Sequence, residues 1–419
     1  MCTRREFLGR GTAGVSALAL GGSLPGLLVR AAAAAEKNGQ SDRVLVVVEL
    51  AGGNDGLNTL VPRENDLYYK NRPKLAIAKS DAIRLNDELG LHPGMQPLAE
   101  LFKRGKLAIV QGVGYPQPDR SHFRSMEIWH TASLGSVSNS TGWLGRFLDG
   151  GQAADKPARA DVASLAGVAL TDALPQALQA EHYAAPVIQS LEGLDAAGGQ
   201  SAEAAKMLRE LSKPQGGAAA GAAAFIAQQA ESEFQIRERL IKTKARYHSS
   251  VIYPEGGLGA QLRRAAQIVA GDLGTRVIFA SHGGYDTHSS QADDHATLLT
   301  HLAESLFAFQ HDLEQLKIAD RVVTIVFSEF GRRVDENASG GTDHGAASCL
   351  FALGSQVQGG LVGKYPSLEK LGDGDLIFNT DFRSVYATLL DRWLLASSAG
   401  LLGGKFEHLP LLKAKLSTT

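Results

Sequence analysis

Cysteine is nearly missing from this chain. Of its two, Cys2 lies in the first residues and Cys349 stands alone after them, so no disulfide can close within a chain trimmed of its N-terminus. An excess of one charge is missing too. Lys+Arg 42 stand against Asp+Glu 44, a formal net charge of -2, with no basic excess for nucleic acid and no acidic solvating tail. After the first residues no apolar stretch reaches the roughly 20 residues of a membrane span, and no tandem repeat is visible. What is present is ordinary globular material, 44% hydrophobic and 21% charged over 419 residues, enough for a large core.

The N-terminus reads "MCTRREFLGRGTAGVSALALGGSLPGLLVRAAAAAEK". Arg4 and Arg5 precede a weakly apolar, Gly-rich run, and an Ala-rich exit follows. These are the parts of an export signal over residues 1–35. Gly and Pro within the apolar run argue against a permanent anchor. "TRREFL" resembles the twin-arginine signal, an address read by a receptor. The expectation is a periplasmic or secreted protein that meets the twin-arginine translocase during export and has no stable membrane insertion after cleavage.

Beyond the signal, strands and helices alternate. "DRVLVVVEL" and "KLAIVQGVGYP" flank the helical spacing of Met95, Leu98, Leu101 and Phe102, a strand–helix–strand unit that implies a parallel sheet. "TRVIFASHGGYDTHSS", the amphipathic "ADDHATLLTHLAESLFAFQHDLEQLKI" and "RVVTIVFSEFGRR" repeat the pattern, and "DFRSVYATLLDRWLL" closes it. Residues 36–419 therefore read as one α/β domain, a doubly wound, mostly parallel sheet flanked by helices. About 151–256, Ala-rich and broken at "SKPQGG", reads as a helical elaboration.

Each apolar strand ends in a polar cluster. The first leads to Asn54 and Asp55, the second to "DRSHF" with Ser121 and His122, the third to Asp286 and His288, and the fourth to Ser328, Glu329 and Arg332. "GTDHG" then returns with Asp343 and His344. Ligands gather beyond the carboxyl ends of strands in open α/β sheets. Carboxylates crowded there need a cation, a proton or an arginine. Asp, Glu and His suit zinc, magnesium, manganese or calcium. Bland roles compete with each assignment. Asn-Asp-Gly at Asp55 is turn chemistry, Ser121 can cap the helix after it, and Asp286 can cap the next. Glu329 can pair with Arg332 or Arg333. His122 and His344 can serve as loop hydrogen bonders.

"ELAGGNDGLNTLVP", "RSHF", "GGYDTH", "FSEFGR" and "GTDHG", in this order, resemble the DUF1501 family across essentially the whole mature chain. That family is similar to the alkaline phosphatase superfamily, so the resemblance implies an alkaline phosphatase-like core with a helical insertion. It implies a divalent metal held by Asp55, Asp286, His288, Glu329, Asp343 and His344. It places Ser121 where the superfamily carries its nucleophile. By their own chemistry, the Arg332 guanidinium fits an anionic group and His344 can act as a general acid or base, so both are further catalytic candidates. One position departs: Glu329-Phe330 stands where the superfamily uses an Asp-His pair. The sequence has no Cys-x-Pro-x-Arg motif for formylglycine. The expected activity is hydrolysis of an anionic phosphate or sulfate ester. The competing expectation is a non-catalytic periplasmic binding or assembly protein on a degenerate hydrolase scaffold.

Overall fold

The structure, a computed structural model, describes residues 42–135, 141–150, 165–191, 207, 236–244 and 247–414. The export segment and much of the 151–256 elaboration lie outside the described residues; within it, 236–244 is helical. The chain divides into two compact units. The larger takes in residues 43–138, 249–263 and 280–419, and the smaller 139–248 and 264–279. The main strands are β1 (Val44–Leu50), β2 (Leu107–Gly114), β3 (Gly167–Ala169), β4 (Val277–His282), β5 (Val322–Phe327), β6 (Ser348–Leu353) and β7 (Gly360–Val362).

In the larger unit the sheet runs β7-β2-β6-β5-β1. β1 and β5 are parallel, from Val44 beside Val322 to Glu49 beside Phe327, and β7 is parallel to β2. β6 alone is reversed, antiparallel to both β2 and β5. The reason is local. A parallel neighbour needs a long crossover, whereas a chain that doubles back can pair at once. After β5 the chain doubles back, and Arg332 pairs antiparallel with His344. The architecture is α/β with a mostly parallel sheet and flanking helices, as expected from the alternation.

Every residue of β1 and β5 is buried. That is why these strands read as unbroken apolar runs rather than alternating ones. Full burial of one Val, Leu or Ile contributes about 1.5–3 kcal/mol. The helix Gln291–Gln315 buries Leu299, Leu302, Leu306, Phe309 and Leu313, a stripe at the helical spacing. Trp129 stacks on Phe327 at 5.0 Å and on Phe382 at 4.4 Å between ring centroids.

In the smaller unit β3 is parallel to the first half of β4, Gly167 beside Val277 through Ala169 beside Phe279. Asp149, in the helix Trp143–Gly150, accepts backbone N–H bonds from Glu181, His182 and Tyr183. Among the described residues, no helix is long and apolar enough to cross a membrane.

Candidate metal centre

Four loops of the larger unit build one site. The loop after β1 carries Gly52 and Gly53; both have positive φ. A Cβ on Gly53 would sit 2.2 Å from the Phe330 ring, so the approach of these loops demands glycine. The loop after β2 ends at the helix His122–Thr131. The loop after β4 presents Asp286 and His288. The doubled-back segment after β5 presents Glu329, Phe330 and Arg332, then Asp343 and His344. Its two limbs are tied by Gly331 N–H to Ala346 O at 2.8 Å and Arg333 N–H to Asp343 O at 3.0 Å.

Arg332 fastens three of these loops together, those after β1, β4 and β5. Its buried guanidinium donates to Gly53 O at 2.7 Å, Thr342 O at 2.8 Å, Tyr285 O at 2.9 Å and Asp286 Oδ1 at 2.7 Å, and also to Gly52 O. A guanidinium has five N–H donors, and here they face the protein itself. The expected catalytic part for Arg332, holding an anionic group, is not what its geometry offers.

Three imidazoles converge on Asp286. His344 Nδ1 is 2.8 Å from Arg120 O, and its Nε2 is 3.0 Å from Asp286 Oδ1. His288 Nδ1 lies 3.2 Å from Asp343 Oδ1, and its Nε2 is 2.9 Å from Asp286 Oδ1. His122 Nδ1 lies 2.9 Å from Glu329 Oε1, and its Nε2 faces Asp286 Oδ2 at 3.4 Å. Each Nδ1 therefore meets an acceptor outside the cluster, and the tautomer with the hydrogen on Nδ1 satisfies it. In the neutral rings each Nε2 is left with its lone pair. His288 Nε2 and His344 Nε2 are only 2.9 Å apart, and His122 Nε2 is buried with no hydrogen-bond partner.

In that tautomer the three Nε2 atoms face the Asp286 carboxylate, whose one fixed donor is Arg332, an arrangement that suits a cation. Ligand atoms of His122, Asp286 and His344 all lie within 4.8 Å of one another, and among the described residues they are the group so placed. Outer acceptors on Nδ1 are the usual support of metal-binding histidines. A proton serves the same electrostatic end. The hydrogen bond that His122 Nδ1 donates to Glu329 holds the His122 pKa above its ordinary value. Burial pushes the Asp286 carboxyl up, but hydrogen bonds from Arg332 and His344 and the Arg332 charge outweigh it and leave it at about 2.

The expected ligands separate into two classes. Asp286, His288 and His344 face the centre. Glu329 and Asp343 stand one shell back, orienting His122 and His288. Asp55 belongs elsewhere: it is buried, caps the helix Gly56–Thr59, and pairs with Arg72 at 2.5 Å. Its expected ligand role gives way to turn chemistry and an ion pair. Ser121 is exposed and makes no capping side-chain bond. His122, read from sequence as a base for Ser121 or, in preference, a loop hydrogen bonder, is the residue that joins the centre. The signal was present in "RSHF", a histidine opening a helix just after a buried strand. Phe330 packs against both His122 and His344, 5.0 Å and 4.8 Å from their rings, which are themselves 4.3 Å apart. The position where the resemblance expects a histidine is thus an apolar backing for two others.

A family model described as "Protein of unknown function (DUF1501)" matches residues 42–393. No curated protein matches the chain. Among solved structures, the chain is similar to a protein of the alkaline phosphatase superfamily from Vibrio parahaemolyticus, at 9% identity and TM-score 0.40, covering 86% of this chain and 70% of that one. It is similar to the lipoteichoic acid synthase LtaP from Listeria monocytogenes, at 9% identity and TM-score 0.36, over 87% and 73% of the two chains. The phosphonate monoester hydrolase of Agrobacterium radiobacter follows at 11% identity and TM-score 0.31, over 87% and 78%.

Proposed function

The chain belongs to the DUF1501 family, and we propose that it is a metal-dependent hydrolase of phosphate or sulfate esters. The observation that carries this reading is the convergence of three Nε2 atoms on one carboxylate, each imidazole held from behind by an acceptor. His122, Asp286 and His344 would hold the ion, with His288 Nε2 beside them, 2.9 Å from Asp286 Oδ1; imidazole-rich donor sets favour zinc over magnesium or calcium. When bound, a divalent ion supplies Lewis acidity toward water and toward the charged oxygens of an ester.

The chain's own residues do the rest. Glu329, Asp343 and the Arg120 carbonyl keep each ring in the tautomer that offers Nε2 inward. Phe330 shields one side of the centre from water. Arg332 holds three of the four loops in register through their carbonyls. Ser121 leaves an exposed hydroxyl one residue before His122, available as nucleophile. A water positioned at the centre is the other source of attack.

The test is metal analysis of the purified mature chain with a panel of aryl phosphate and sulfate esters. The expected result is bound zinc and ester turnover, both lost in His344→Ala. A protein that takes up no metal on reconstitution overturns the site. One that binds metal but turns over no ester, with Ser121→Ala silent, is a binding or assembly protein instead. We propose export through the twin-arginine translocase on the strength of Arg4 and Arg5. Replacing both by lysine should retain the protein in the cytoplasm, and undiminished export would remove this reading.

A further inference from the structure

A cleft of about 780 Å³ opens beside the histidine cluster, bordered by Pro118, Arg120, Ala346, Asp375, Ile377 and Phe378. The same two segments that deliver the ligands also form its walls. Arg120 lies two residues before His122, and its carbonyl accepts from His344. Ala346 lies two residues after His344. A molecule whose charged end met the cluster would have its remainder at this cleft.

The polar groups of the cleft are incompletely used. Asp375 is only 2% exposed. Its Oδ2 accepts from Arg120 Nε at 2.8 Å and from Nη2 at 2.5 Å. Its Oδ1 is buried and has no hydrogen-bond partner; Arg333 Nε, at 3.9 Å, is beyond hydrogen-bond reach. An unpaired buried carboxylate oxygen is costly and uncommon in native proteins. Arg120 donates through Nε and Nη2, while its Nη1 makes no hydrogen bond among the described residues. The charges balance, since Arg120 and Arg333 face Asp373 and Asp375. Nothing here favours a further net charge. Ile377, 51% exposed, and Phe378 add apolar surface beside the open acceptor and the open donor.

We propose that this cleft is the subsite for the alcohol part of the ester, and that Asp375 Oδ1 with Arg120 Nη1 selects a hydroxylated, sugar-like alcohol. This rests on the hydrolase reading for the position of the ester group. A ring hydroxyl donates to Oδ1 and accepts from Nη1, and its C–H face lies on Ile377 and Phe378. A site built to hydrogen-bond a hydroxyl discriminates strongly against an analogue lacking it.

The experiment is calorimetry on the zinc-loaded chain with inorganic phosphate, cyclohexyl phosphate and the 6-phosphates of glucose, galactose and mannose. Metal content is measured on the same samples. At least one hexose phosphate should bind about tenfold or more tightly than the other two probes. Asp375→Asn should remove that advantage and leave inorganic phosphate unchanged. Ile377→Trp, at an exposed position, should do the same by filling the cleft. Hexose phosphates no tighter than cyclohexyl phosphate, or equal weakening of every probe in both variants, would overturn the subsite. Turnover, followed separately, decides the other reading. Turnover without a hexose preference overturns the cleft alone. A hexose preference without turnover overturns the hydrolase reading and leaves the cleft a binding subsite.

Discussion

Two polar groups lie at strand ends of the larger unit, each an aspartate paired with an arginine, yet they differ in how fully their acceptors are supplied with donors. Around Asp55, donors arrive from every side. Oδ2 receives Arg72 at 2.5 Å and Gln291 at 2.5 Å, and Oδ1 receives the N–H groups of Leu57 and Asn58. Arg72 in turn donates to the carbonyls of Val334 and Arg333. Burial pushes the Asp55 carboxyl up, but Arg72 and His295 pull it lower than its usual value. One buried lone pair stays open there, on His295 Nδ1. Around Asp286, by contrast, Arg332 is the one fixed donor, and the Nε2 atoms of three histidines face the carboxylate. Counting donors separates a finished structural knot from a centre that awaits a cation, where residue type alone does not.

The largest effect should fall on the knot. Arg72→Met strands a buried carboxylate, and breaking a buried pair in this way costs about 3–5 kcal/mol. His288→Ala removes a ring that is 44% exposed and should change metal-free stability by about 0.5 kcal/mol or less. Urea unfolding in chelator measures both. Equal losses would erase the distinction between the two regions.

Zinc should reverse the order. Ligand at about a thousand times its dissociation constant adds about 4 kcal/mol of stability. That gain should vanish in His344→Ala and survive in Asp55→Asn, even though the latter starts from a less stable fold. Thermal unfolding with and without zinc reads the difference. A zinc gain lost in Asp55→Asn but kept in His344→Ala would move the metal to the knot.

The reach of sequence follows from the same count. Buried strands were legible because both faces of β1 and β5 are covered, which leaves an unbroken apolar run. Convergence of the strand-end clusters was legible because the mostly parallel sheet delivers those ends to one edge. The reversed direction of β6 was not, since it depends on the Arg332–His344 pairing within a polar loop. Nor was the division of labour among acids. Asp55 and Asp286 both follow strands, and both sit beside glycine or threonine turns. What separates them is Arg72 and Gln291, which reach Asp55 from 17 and 236 residues away. His122 was undervalued for a like reason: its partner Glu329 is 207 residues distant. Local pattern identifies the groups able to ligate; distant donors decide which remain free.

A smaller effect tests the outer shell. Glu329→Gln retains the shape beside His122 but removes the charge that fixes its tautomer. Loss of such a partner typically weakens metal binding 10–100-fold, or about 1.4–2.7 kcal/mol. Competition with a chromogenic chelator measures it. Complete loss of metal would instead make Glu329 a ligand, as the resemblance implied, and unchanged affinity would make it a bystander.

The smallest effect has opposite signs in the two regions. Burial pulls His295 down to about 4, so the unfolded chain binds its proton first as pH falls. His295 therefore contributes stability above its unfolded pKa of about 6.5 and loses it as pH falls toward the folded value, about 1 kcal/mol between pH 7 and 5.5. His122, raised chiefly by the Glu329 hydrogen bond, behaves in the other sense. Its contribution is complete below the unfolded pKa and fades as pH rises through the folded one. In chelator, then, His295→Gln should be more costly at pH 7.5 than at 5.5, and His122→Gln more costly at 5.5 than at 7.5. The same sign for both would mean that a proton does not stand in for the cation at His122, because only a ring whose charged form is favoured in the fold gains from acid.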